Sequence, residues 1–67
     1  MQTYYVQYTT ENTYPKRCIH SVHAVDKKNA QEKARKELEK VYKQSHVFIK
    51  EALTFAEFMA YQEKAVG

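Results

Sequence analysis

One cysteine, one glycine, one proline and no tryptophan stand among 67 residues, and each shortage excludes something. A lone Cys18 can form no intramolecular disulfide, which favours a reducing compartment. No run approaches the roughly 20 apolar residues of a membrane span. The opening "MQTYYVQYTT" moves straight into polar–apolar alternation, without the charged and apolar regions of a signal peptide. The expectation is a soluble cytoplasmic protein. Neither Asn-Gly nor Asp-Gly occurs, so a hairpin must turn through a looser loop than two residues. There are no repeats and no low-complexity run. The length allows a single domain, 1–67, burying only about 60% of its unfolded surface, and such marginal cores often lean on a second subunit.

What is present is aromatic and basic. Six tyrosines and three phenylalanines can fill a small core or a contact surface while keeping the chain soluble. The +3 charge is unevenly placed: Lys27 to Lys43 carries seven basic residues against three acidic ones, a net +4, and the remainder sums to −1.

"TYYVQYTT" (Thr3–Thr10) alternates with period two, setting Tyr4, Val6 and Tyr8 on one face and Tyr5, Gln7 and Thr9 on the other. Asn12 and Pro15 in "ENTYPK" mark the connection, and "RCIHSVHAV" is the return strand. Asp26 is placed to cap a helix. From Lys27 to about Tyr42, Ala30, Ala34, Leu38 and Val41 recur as one apolar stripe. A third strand is predicted from His46 to Ala52. "TFAE" at Thr54–Glu57 fits a capping box, with Leu53 and Phe58 at staple positions. It opens a short helix from Phe55 to about Lys64, with Phe55, Phe58, Met59 and Val66 on its apolar side. The fold class is therefore α+β, in the order β-β-α-β-α. A right-handed crossover gives a three-stranded antiparallel sheet, order 2-1-3, packed on the long helix.

The cluster Cys18, His20 and His23 is where chemistry would be sought first. Alternation places Cys18 and His20 with Val22 and Ala24 on the helix-facing side, and His23 opposite. No second Cys-x-x-Cys or His-x-x-x-His supplies further ligands, so a metal site is not expected. A nucleophilic Cys–His pair would need an orienting third residue and oxyanion donors, which nothing supplies. The expectation is no enzyme, no cofactor and no small-molecule substrate.

Two surfaces could bind a partner. The sheet face away from the long helix should present Tyr5, Gln7, Ile19, His23, Phe48 and Lys50, with Arg17 near its edge. It would serve a protein contact or a homodimer, stack single-stranded bases, or be covered by the second helix through Phe55, Phe58 and Met59 against Phe48 and Ile19. The other is a stripe of Lys33, Lys36, Lys40 and Lys43, able to follow phosphates. Its field should be diluted by the spaced pairs Glu32–Lys36, Lys33–Glu37, Arg35–Glu39 and Glu39–Lys43. Strands two and three are both sheet edges, open in principle to strand addition.

"VHAVDKKNAQEKARKELEK" (Val22–Lys40) loosely resembles the strand–helix segment of an archaeal ribosomal protein group and of the arm-site DNA-binding domain of phage integrases. The pattern is generic to small αβ folds, and no residue role carries over from either. The function expected is a small binding or regulatory protein acting through protein contact, of the size of accessory proteins encoded by phages and mobile elements. Nucleic-acid binding is the alternative.

Overall fold

The computed structural model describes residues 1–43 and 45–66, with side chains through residue 63. The elements follow in the order β1 (Gln2–Thr10), β2 (Cys18–Ala24), α1 (Lys27–Val41), β3 (Val47–Leu53) and α2 (Phe55–Val66). The sheet is antiparallel with β1 between β2 and β3. The long aromatic and β-branched run thus takes the place where both edges are paired, and Tyr4 and Val6 to Thr10 are buried there.

Residues 11–17 join β1 to β2 in the expected wide loop. A knot of threonines closes it: Thr10 N–H donates to Thr13 Oγ1 at 2.8 Å, and Tyr14 N–H donates to Thr10 O at 2.9 Å. Asp26 caps α1 as predicted, accepting from Asn29 N–H at 2.7 Å.

The core lies between α1 and one sheet face. Tyr4, Val6, Tyr8, Val22 and Ala24 meet Ala30, Ala34 and Leu38. Two alanines let the helix backbone approach closely, so Leu38 supplies most of its buried side-chain volume. Val41, predicted for this stripe, is instead 69% exposed. Four residues on from Leu38, Tyr42 keeps the stripe's direction at the C-cap, with its ring 6.1 Å from that of Tyr8 and the two hydroxyls 3.2 Å apart. Burial, then the Tyr42 hydroxyl, push the Tyr8 phenol well above its ordinary value.

β3 departs from strict alternation. Gln7 stands opposite Glu51 and Tyr8 opposite Ile49, which leaves Lys50 as an extra residue in a bulge. The bulge resets the phase. Val47, Ile49 and Ala52 point to the α1 side, while Phe48, Glu51 and Leu53 share the far face with Thr9, Gln7 and Tyr5. Without it, Glu51 would lie beneath α1 and Ala52 would face away.

The second helix begins as predicted, with Thr54 N–H donating to Glu57 Oε1 at 2.9 Å and Glu57 N–H to Thr54 Oγ1 at 3.2 Å. Lys27 Nζ adds an ion pair to Glu57 at 2.9 Å. The Thr54 N–H first, then the Lys27 ammonium, hold the Glu57 carboxyl below its ordinary value. A depressed folded-state value means that this cap stabilises α2 above the ordinary carboxylate range and is lost as pH falls through the depressed value. The helical signal of α2 should therefore fade on acidification, and Glu57→Gln should flatten that response, both read from α2 amide exchange against pH. The side chain of Val66, placed on the apolar side by sequence, lies outside the described residues.

Candidate functional site

The face opposite α1 is the surface that the fold leaves incomplete. α2 docks on one end of it: the Phe58 ring stacks on Tyr5 at 4.6 Å and 14°, with Phe55 tilted at 6.1 Å from the same ring. Leu53, directly opposite Tyr5 on β3, is buried. Helix cover is therefore real, but over Tyr5 and not over the expected Phe48 and Ile19.

Beyond that first turn the described side chains of α2, Met59 through Glu63, are all exposed. The Cα envelope is 14 Å across its thin axis. That is room for a sheet and one packed layer about 10 Å away, not for helices lying fully over both faces.

The uncovered half has a polar centre with apolar flanks. One row across the sheet is Ile19, Gln7 and Glu51; the next has Thr9 opposite Phe48. Gln7 is buried and accepts from Arg17 Nη1 at 3.0 Å. Thr9 Oγ1 is buried without a hydrogen-bond partner among the described residues, a deficit of about 1–3 kcal/mol. Around this centre Ile19 is 39% exposed and Phe48 47%. On α2, Phe55 is 59% exposed and Met59 43%.

The predicted contact residues thus divide. Arg17, Ile19, Gln7 and Phe48 come together on the open half, with Gln7 as its buried floor. Tyr5 lies under α2. His23 sits at the far end of the face, its Nδ1 3.3 Å from Thr3 Oγ1. Lys50 is a correction: the bulge turns it to the α1 side, where it lines a groove of about 530 Å³ with Lys28, Arg35, Lys36, Glu32 and Glu39. Glu51 takes the place on the far face that Lys50 was given. The sequence held a signal for this, since strict alternation would have put the charged Glu51 between Ile49 and Leu53 on the buried side.

The lysine stripe is also differently engaged than its spacing implied. None of the four i,i+4 pairs closes to 4 Å among the described residues. Glu37 turns to His20, with Oε2 at 2.6 Å from Nε2, which ties β2 to α1. Lys33 Nζ donates to the His23 carbonyl at 2.9 Å, and Arg35 Nη1 to the Val47 carbonyl at 3.4 Å. One helix therefore occupies a backbone acceptor on each outer strand, and β3 carries the bulge and Lys50 besides. Both devices blunt a sheet edge against strand addition, which leaves the open face as the better contact surface.

Cys18 is half-buried against the core, on the same strand face as His20, with His23 opposite. No three His, Cys, Asp or Glu residues gather as a ligand set among the described residues. No helix there is long and apolar enough to cross a membrane. No protein-family model, curated protein or solved structure matches the chain.

Proposed function

We propose that this chain is a small non-enzymatic binding protein of the cytoplasm that acts through protein–protein contact at the open half of its sheet face. One observation carries the reading: Ile19 and Phe48 stand exposed on the sheet while Phe55 and Met59 stand exposed on the adjoining helix. Apolar side chains gathered around a few polar groups mark an interaction surface more often than a wetted one.

Nucleic acid is the second reading, and the groove lined by Lys28, Arg35, Lys36 and Lys50 favours it. Glu32 and Glu39 line the same groove, and Lys33 is committed to a backbone carbonyl, so the positive field along α1 is broken.

The two readings separate in one amide-resolved NMR titration with single- and double-stranded oligonucleotides at low and physiological salt. The expected result is shifts along α1 at low salt that physiological salt erases, because phosphate contacts weaken steeply with salt. Shifts that persist, on α1 or at Ile19 and Phe48, would overturn the protein-contact reading. On the positive side, immobilised protein should retain a binding partner that Phe48→Asp loses and Lys36→Glu keeps.

A further inference from the structure

We infer that the occupant of the open sheet face is α2 of a second copy of this chain, so that two protomers exchange their C-terminal helices. The inference rests on the protein-contact reading above and names its partner. Its basis is that both halves of one complementary contact lie on the same chain, and each keeps much of its apolar surface exposed there, Phe55 included although one side of its ring meets Tyr5. The sheet offers an apolar pair, Ile19 and Phe48, with the Arg17 guanidinium beside it. α2 offers Phe55 and Met59 four residues apart and Glu63 four further on, which helical geometry sets in one line. Phe55, Met59 and Glu63 are all exposed.

Charge fixes the orientation. Arg17 lies just before β2, while Glu51 occupies the β3 side of the same face. Glu63 of an incoming helix is attracted to the first and repelled by the second, so its C-terminal half lies toward β2. The helix cannot make this contact in its own chain. Its first turn is pinned by the Tyr5 stack, the Thr54 cap and the Lys27–Glu57 pair, and beyond it Met59 through Glu63 stay exposed, as do Ile19 and Phe48. A self-complementary pair of patches of this kind closes as a two-fold dimer, in which the contact is made twice. That also suits a chain whose own core is at the lower limit of size.

The test is a charge exchange followed by sedimentation equilibrium, with folding checked by the amide spectrum of each variant. Wild type should be a dimer. Arg17→Glu and Glu63→Arg should each weaken self-association by roughly tenfold or more, since each places like charges together twice per dimer. Mixing the two variants should restore wild-type affinity, because every contact in the mixed dimer again pairs opposite charges. Met59→Asp should weaken the dimer without any such rescue. A wild type that stays monomeric into the millimolar range would overturn the exchange, as would a dimer indifferent to both charge variants or a mixture that fails to recover. Retention of another partner dependent on Phe48 by a monomeric wild type would sink the exchange and leave the contact reading standing; loss of both would remove the reading as well.

Discussion

Leu38→Ala is expected to cost about 3 kcal/mol and to lower the melting temperature by roughly 12–24 °C, a large part of the stability of a domain this size. The reason is the make-up of the buried side of α1. Ala30 and Ala34 are fully buried but add little volume, so Leu38 is the one large apolar side chain that the helix drives between the strands. Removing it opens a cavity beside Tyr8 and Val6 that the sheet, paired on both sides of β1, cannot close by shifting. Val41→Ala is the matched control. It removes a side chain of similar hydrophobicity three residues on, but Val41 faces solvent, so the change should stay within about 0.5 kcal/mol. Thermal and urea unfolding followed by circular dichroism decide it. Equal effects at the two positions would mean that the helix packs by a different stripe.

Phe58→Ala should have the second largest effect, but a local one. α2 has 12 residues, near the length at which an isolated helix is marginal in water. It is held to the rest of the fold by the Phe58–Tyr5 stack, the Phe55 edge, the Thr54 cap and one exposed ion pair. The ion pair adds little. Losing the half-buried ring and its stacking removes about 2 kcal/mol, enough to let α2 open without the sheet. Amide exchange should show protection lost from residues 55–63 and retained in β1 and α1. Protection that survives in α2 would show that the cap and the ion pair suffice to dock it.

These two variants probe the parts of the fold that differ most in how far the sequence determined them. The side of the sheet that meets α1 followed from local rules: alternation in β1 and β2, a capping Asp26, and alanines at helical spacing. Each of those signals is read within a few residues, where propensity and periodicity act. The same holds for the Thr54–Glu57 box and for the crossover that sets the strand order. The predicted stripe erred only at its end, taking Val41 where the turn brings Tyr42 round.

The far face was less legible because its composition depends on long-range registry. A one-residue bulge opposite Gln7 and Tyr8 exchanged Lys50 for Glu51 on that face; the charge of Glu51 signalled that the alternation breaks, but not where on the ladder the extra residue sits. The extent of helix cover was also beyond the sequence. The apolar side of α2 is visible as Phe55, Phe58 and Met59, but whether it lies along the sheet or touches it only at Tyr5 depends on the angle at Thr54 and on where Lys27 meets Glu57. Likewise, i,i+4 spacing suggested that the charges of α1 would pair along the helix. In the folded chain His20 and the carbonyls of His23 and Val47 are nearer and better placed, and they claim Glu37, Lys33 and Arg35. Strands, helices and caps were thus set by the sequence through near-neighbour signals, and strand order and the principal core followed from the alternation of those elements and the hand of the crossover. Which side chains stand uncovered on the second face, and hence the surface on which the proposed contact rests, was decided only when β3 took its register on β1 and α2 stopped at Tyr5.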